Sequence, residues 1–132
     1  RIGAVILDCA HNPAAMAVLG RWIRSAFHGS VHVVFGVMGG KDLGAMVQNL
    51  EAWADTVTLV TPKYPRRCAA SDVAPFFNRL WPRIIDDVSL ALDTRSGQQI
   101  TVVCGSGFLA GEARAHLLGQ AYPECDLVTM AR

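Results

Sequence analysis

Runs of apolar, mostly β-branched residues alternate along this chain with segments of helical periodicity. The runs predict strands over residues 3–8, 31–37, 55–61, 83–88 and 100–104. The segments that follow them predict helices over residues 13–27, 43–54, 71–80, 89–95 and 108–118. Because strands joined in turn by helices form β-α-β units, the alternation predicts an α/β fold with a Rossmann-like, mainly parallel sheet flanked by helices. A further short strand is predicted at residues 127–129.

Composition limits the functions open to the chain. Its 132 residues are 52% hydrophobic and 17% charged, which is typical of one globular domain spanning residues 1–132. A formal net charge of +1 argues against a nucleic-acid partner, and no apolar run approaches the roughly 20 residues of a membrane helix. The chain begins with Arg1 and enters a strand almost at once, so we expect one domain of a longer protein.

The four cysteines are scattered and none forms a C-x-x-C pair. They are Cys9, Cys68, Cys104 and Cys125. We therefore expect reduced thiols, a cytoplasmic location and no metal held by this chain.

Chemically active side chains follow the first, second and fifth predicted strands. They are Asp8, His11 and Asn12, then Lys41 and Asp42, then Ser106. In a parallel sheet these loops open on one edge, where α/β proteins bind ligands, so we expect them to converge on one ligand.

The first of these loops offers several chemistries. Asp8 suits a ribose hydroxyl or, alternatively, the N–H groups of its own loop. His11 suits a phosphate, a substrate carboxylate or a proton transfer near neutral pH. Asn12 precedes Pro13 and is predicted to cap a helix, a role compatible with ligand contact.

Two glycine-rich turns match nucleotide motifs only in part. The stretch around Lys41 has Phe35 where a P-loop needs Gly, and Asp42 where it needs Ser or Thr. Lys41 is therefore left as a point charge for an anion or as a solvated side chain. The G-x-G-x-x-A pattern around Ser106 lies in the last β-α unit rather than the first, which argues against a dinucleotide site. The helix that follows Ser106 can still bind an anion at its N-terminus.

A basic loop over residues 62–67 contains Lys63, Arg66 and Arg67 together with two prolines. It is either a solvated surface or a clamp for an anionic substrate. The residues alone leave both interpretations open.

Four stretches resemble motifs of one enzyme family. Residues 7–13, LDCAHNP, resemble the D-x-A-H-N-P motif of folylpolyglutamate and dihydrofolate synthases, members of the Mur ligase superfamily. Residues 35–42, 61–66 and 105–112 resemble that family's F-G-x-x-x-D-K-D, T-P-x-x-P-R and G-S-L-Y-L-x-G-E motifs. The chain departs from these motifs at Gly40, Gly107 and Phe108, which stand where the family has Asp, Leu and Tyr.

The resemblance implies the C-terminal domain of an ATP-dependent ligase that adds L-glutamate to dihydropteroate or folate through an acyl phosphate. It implies a six-stranded, mostly parallel sheet with one antiparallel strand. ATP and Mg²⁺ are implied as cofactors, the metal being held mainly by a central domain that this chain lacks. The implied partners are the N-terminal and central domains of the same polypeptide, and we expect a monomer that is inactive without them.

The resemblance also suggests roles for individual residues. Asp8 would contact the ATP ribose, with Asn12 and Lys41 on the same cofactor-binding side. His11 would be catalytic, near the reacting phosphate and the incoming glutamate. Ser106 would bind the glutamate and Arg66 the substrate.

Two other classes of function remain open from the sequence. One is a free-standing Rossmann-like module that binds a nucleotide or a partner for regulation. The other is an NAD(P)-dependent oxidoreductase, suggested only by the G-x-G-x-x-A pattern.

Overall fold

The computed structural model describes residues 2–121. Its strands are β1 (Val5–Leu7), β2 (Val31–Phe35), β3 (Thr56–Leu59), β4 (Arg83–Ile84) and β5 (Ile100–Cys104). Its α-helices are α1 (Pro13–Ala26), α2 (Leu43–Glu51), α3 (Ala70–Val73), α4 (Val88–Asp93) and α5 (Gly107–Leu117). None of the helices in this part of the chain has the length and apolar character that crossing a bilayer requires.

The strands form one five-stranded sheet in the order β1-β5-β2-β3-β4, and every pair of neighbouring strands is parallel. The predicted α/β, Rossmann-like fold is therefore confirmed. The antiparallel sixth strand suggested by the family resemblance is not among residues 2–121. The strand predicted at residues 127–129 lies outside the described residues.

Successive residues of each strand point to opposite faces of the sheet, and each face has its own apolar cluster. Val33 and Phe35 belong to the larger cluster, which α1 and α2 cover. Val34 belongs to the smaller cluster, which α4 and α5 cover. Burying each large side chain such as Phe35 contributes about 1.5–3 kcal/mol, so the two-sided burial explains the uninterrupted apolar strands.

The chain changes face before β5. The helices after β1 and β2 lie on the larger-cluster face, whereas α4, which precedes β5, and α5, which follows it, lie on the other face. Since β5 lies between β1 and β2, the loop at its carboxyl end leads to the opposite face of the sheet from the loops after β1 and β2. That divergence opens a crevice at the carboxyl edge of the sheet.

The helix predicted over residues 71–80 is wrong in its extent. Only α3 forms, without a side-chain cap from Ser71, and a 3₁₀ turn follows over Ala74–Phe76. Pro75 lacks the N–H that a continuing helix needs. Beyond it, the buried Glu51 carboxylate accepts hydrogen bonds from the three consecutive backbone N–H groups of residues 78–80, at 3.0, 2.5 and 2.7 Å.

The fourth strand is shorter than the predicted residues 83–88. Only Arg83 and Ile84 pair with β3. The Asp87 carboxylate accepts hydrogen bonds from the N–H groups of Ser89 and Leu90, at 2.7 and 3.4 Å, and so begins α4. A carboxylate that caps a helix turns the chain away from the strand direction.

Candidate functional site

The loops that follow β1, β2 and β5 enclose a cleft of about 450 Å³ at the carboxyl edge of the sheet. It is lined by Cys9, His11, Met38, Lys41, Gly105, Ser106, Gly107 and Phe108. Three predicted site residues, His11, Lys41 and Ser106, thus meet in one cleft although each comes from a different loop.

The loop after β1 is held by its own side chains. Asp8 accepts a hydrogen bond from the N–H of Ala10 at 2.8 Å, which turns the chain as soon as the strand ends. Asn12 accepts one from the N–H of Ala15 at 2.8 Å, and Pro13 stands in the first turn of α1. The predicted helix cap is confirmed, and it uses the Asn12 carbonyl oxygen while leaving its amide nitrogen for other contacts.

The imidazole of His11 is oriented by the same loop. Its Nδ1 lies 2.9 Å from the carbonyl oxygen of Cys9. A carbonyl oxygen only accepts, so Nδ1 carries a proton in this contact. The lone pair of a neutral His11 is therefore on Nε2, and the exposed ring can accept a proton there.

The turn after β5 requires a glycine. Gly105 has a φ of +108°, and a Cβ atom there would lie 2.3 Å from the Gly36 carbonyl oxygen. The Gly105 N–H donates to the Ala10 carbonyl oxygen at 2.9 Å. This hydrogen bond ties the loop after β5 to the loop after β1 and fixes the two sides of the cleft relative to each other.

Ser106 is buried and caps α5. Its Oγ accepts hydrogen bonds from the N–H groups of Phe108 at 3.1 Å and Leu109 at 3.4 Å. A hydroxyl that accepts two hydrogen bonds still has its own proton to donate. The N-terminus of an 11-residue helix also carries a partial positive charge, so the combination favours an anion beside Ser106.

The loop after β2 supplies a cation. Asp42 caps α2 by accepting a hydrogen bond from the N–H of Ala45 at 3.2 Å, so its carboxylate is engaged locally. Lys41 is exposed, and no carboxylate within residues 2–121 lies within 4.0 Å of its ammonium group. An ammonium in this position attracts a negatively charged ligand.

The basic loop is docked beside the cleft rather than lining it. The Gly39 N–H donates to the Arg66 carbonyl oxygen at 2.7 Å, which holds the loop against the one after β2. The Lys63 ammonium lies 3.4 Å from Asp87, and the Arg67 guanidinium donates to the Tyr64 carbonyl oxygen at 3.2 Å. Lys63 and Arg67 are thus engaged within the chain, and the exposed side chain of Arg66 does not line the cleft.

Sequence reasoning missed the residues that support the cleft wall. The Phe108 ring, which lines the cleft, stacks on the ring of Tyr64 with centroids 3.8 Å apart. The buried Glu112 carboxylate accepts the Lys63 N–H at 2.9 Å and anchors the same loop. Burial raises the pKa of Glu112. The Gly-Glu pair that ends the fourth family-like motif was the available signal.

Asp8 faces a second groove of about 590 Å³ on the other side of the loop after β1. This groove runs along α1 and includes Val18 and Trp22, which are 57% and 50% exposed. Cys9 and His11 line both the groove and the cleft. Asp8 therefore lines the groove and not the cleft that contains Lys41 and Ser106.

The chain's matches to known proteins agree with this geometry. Residues 2–107 match the model of the Mur ligase, glutamate ligase domain family. The chain belongs to this glutamate ligase domain family. Its sequence resemblance to the C-terminal domain of folylpolyglutamate and dihydrofolate synthases is thereby confirmed.

Relatives of this glutamate ligase domain are longer enzymes. The folylpolyglutamate synthase of Lacticaseibacillus casei is 32% identical over 117 residues, which are 87% of this chain and 27% of that enzyme. The structure of folylpolyglutamate synthase from Thermotoga maritima matches with a TM-score of 0.82 at 26% identity, covering 91% of this chain and 29% of the other.

A third relative is a bifunctional folylpolyglutamate synthase/dihydrofolate synthase solved with Mn, AMPPNP and L-glutamate bound. It matches with a TM-score of 0.72 at 28% identity, covering 84% of this chain and 28% of that one. The glutamate ligase domain described here thus spans less than a third of each of these relatives.

Proposed function

We propose that this chain is the C-terminal module of an ATP-dependent ligase that joins L-glutamate to dihydropteroate or folate. The reaction phosphorylates the pterin substrate's carboxylate, and the amine of glutamate then displaces phosphate from the acyl phosphate. The observation that carries the proposal is the meeting of His11, Lys41 and Ser106 in one cleft at the carboxyl edge of the sheet. The parent enzyme is expected to be monomeric.

His11 is the proposed catalytic residue. Its Nδ1 is held by the Cys9 carbonyl oxygen, so Nε2 is the nitrogen that meets the substrate. Nε2 accepts a proton from the ammonium group of glutamate and frees the amine lone pair for attack. General base catalysis of this kind contributes about 10²–10⁴-fold to a rate.

Ser106 is the proposed glutamate-binding residue. Its hydroxyl proton donates to a glutamate carboxylate, while its Oγ remains the cap of α5. The helix N-terminus supports the same carboxylate through its partial positive charge. Arg66, on the loop beside the cleft, is proposed to contact a substrate carboxylate from the rim.

The nucleotide contacts are assigned to the neighbouring residues. Lys41 pairs as a point charge with a phosphate of ATP. Asp8 accepts a hydrogen bond from a ribose hydroxyl with the carboxylate oxygen that its loop leaves unused, and the Asn12 amide nitrogen donates to the same nucleotide. Contacts to both ends of a nucleotide position it across the loop after β1.

The described residues do not suit a divalent metal. Within residues 2–121 no group of three His, Cys, Asp or Glu side chains is placed to hold one. We therefore assign the Mg²⁺ expected from the family, like the pterin site, to the other domains of the parent enzyme. No step above uses a metal held by this chain.

The test is the kinetics of the parent enzyme carrying His11→Gln. We expect kcat for glutamate addition to fall about 100-fold with little change in the KM for ATP, because the glutamine amide occupies similar space but cannot accept a proton. The matched control is His28→Gln, an exposed histidine beyond the C-terminus of α1, which should leave kcat unchanged. A kcat for His11→Gln within about threefold of wild type would contradict the catalytic role.

A further inference from the structure

A third space, a cleft of about 290 Å³, lies at the opposite end of the strands from His11 and Ser106. It opens on the sheet face that α4 and α5 cover. α4 has only six residues. The part of this sheet face nearest the amino ends of the strands carries polar side chains, which line the cleft. We call this space the amino-edge cleft; its lining includes His32, Thr58, Trp81, Arg83 and Arg95.

The floor of the amino-edge cleft is a polar, neutral network. The His32 ring lies between two hydroxyls, with Nδ1 2.6 Å from Thr56 Oγ1 and Nε2 3.0 Å from Thr58 Oγ1. Burial, together with the nearby Arg83 guanidinium, lowers the pKa of His32. Polar side chains on the buried face of a parallel sheet replace the apolar residues that packing alone would favour.

The walls of the amino-edge cleft carry two positive charges without a counter-charge. No acidic residue lines it. Within residues 2–121, neither Arg83 nor Arg95 has a carboxylate within 4.0 Å. Arg95 uses one guanidinium N–H on the Leu92 carbonyl oxygen at 2.6 Å, which fixes the side chain and leaves its other donors for a ligand.

Trp81 adds a flat apolar surface at the rim. Trp81 is 96% exposed, so its indole is almost entirely in contact with solvent. Leaving an indole in water forgoes the stabilisation that burial would give. A planar ring stacked on Trp81 would recover that stabilisation beside the two guanidinium groups.

We propose that the amino-edge cleft binds a small organic oxyanion that carries a planar ring. Arginine binds carboxylates and phosphates through paired N–H donors, and Trp81 supplies the stacking surface. The volume lies at the lower limit of small-molecule sites, which suits a ligand no larger than a mononucleotide. This site is separate from the proposed ligase site, so its occupancy does not depend on the ligase proposal.

The test is a titration of this chain followed by the amide and indole signals in NMR spectra. The probes are benzoate (ring with carboxylate), 5′-AMP (ring with phosphate), adenosine (ring without charge) and inorganic phosphate (charge without ring). We expect benzoate or 5′-AMP to shift the signals of His32, Thr58 and the Trp81 indole, and the stronger of the two identifies the oxyanion. Adenosine and inorganic phosphate should bind at least about fivefold more weakly than that probe.

Variants separate the amino-edge cleft from other anion sites. Arg83→Gln and Arg95→Gln should each weaken binding of the stronger probe about tenfold, and Trp81→Ala several-fold. The matched control is Arg21→Gln, an exposed arginine on α1 at the other face of the sheet, which should leave the affinity unchanged.

Three results would overturn the proposal. The first is the absence of shifts at His32, Thr58 and Trp81 with benzoate and 5′-AMP at about 10 mM. The second is adenosine binding as tightly as 5′-AMP. The third is an Arg83→Gln or Arg95→Gln protein that folds, judged by its amide spectrum, and binds as tightly as Arg21→Gln.

Discussion

At the scale of single residues, Gly105 is confined to glycine by two independent restrictions. Its φ of +108° disfavours any side chain, and a Cβ atom would overlap the Gly36 carbonyl oxygen and the Phe35 ring. We expect Gly105→Ala to lower the free energy of unfolding by about 3 kcal/mol or more, measured by urea denaturation. Gly29→Ala is the control, because open space surrounds Gly29, and it should change stability by less than about 0.5 kcal/mol.

Two buried carboxylates have pKa values shifted in opposite directions. For Glu51, burial is outweighed by the hydrogen bonds from the backbone N–H groups of residues 78–80, so its pKa is lowered. Its stabilising contribution is therefore complete above the unfolded-state pKa and is lost as the pH falls through the lowered folded-state value. For Glu112, burial dominates and the pKa is raised, so its contribution is complete at low pH and is lost as the pH rises.

These signs predict different pH profiles for two matched variants. Glu51→Gln should lower the free energy of unfolding by about 2 kcal/mol at neutral pH, and the loss should shrink below about pH 4. Glu112→Gln should lower the free energy of unfolding more near pH 4 than at neutral pH. Urea denaturation across this pH range measures both, and parallel profiles for the two variants would contradict the assignment.

At the scale of elements, the cap of α1 can be separated from nucleotide binding. Asn12→Asp keeps the oxygen that accepts the Ala15 N–H but removes the amide N–H donor. We therefore expect stability within about 0.5 kcal/mol of wild type, together with a several-fold higher KM for ATP in the parent enzyme. An unchanged KM would leave Asn12 as a helix cap only.

Elements buried on both faces were predictable from their sequence, and elements fixed by distant residues were not. The apolar runs containing β2 and β5 identify those strands directly, since such runs suit a parallel sheet. Pro75 is a local signal against a continuous helix over residues 71–80, but the hydrogen bonds from the N–H groups of residues 78–80 to Glu51 are not. A carboxylate 27 residues earlier in the chain leaves no local signal.

The same distinction applies to the candidate site. His11, Lys41 and Ser106 were predictable because each directly follows a parallel strand or its turn. Three further residues, Cys9, Met38 and Phe108, line the cleft because β5 lies between β1 and β2. That strand order cannot be predicted from a local sequence pattern. The separation of Asp8 into the neighbouring groove has the same origin.

At the scale of the whole molecule, the chain holds one part of the proposed ligase site, and residues 2–121 contain no cluster of three side chains placed to hold a metal. We expect the isolated chain to form no ADP in the presence of ATP, glutamate and dihydropteroate. Its dissociation constant for ATP should exceed about 1 mM. Coupled ADP detection and calorimetry measure these quantities; turnover by the isolated chain would contradict the proposal, and tight ATP binding would favour a free-standing nucleotide-binding module.

The loop after β1 separates two spaces, because Cys9 and His11 line both the cleft and the groove along α1. A ligand that displaces this shared wall toward one side necessarily alters the room on the other. Thermodynamic linkage requires the effect to be mutual: if occupancy of the groove changes the affinity of the cleft by some factor, occupancy of the cleft changes the affinity of the groove by the same factor. Reciprocal coupling between the cleft and the groove therefore requires a ligand that moves Cys9 or His11, the residues that line both spaces.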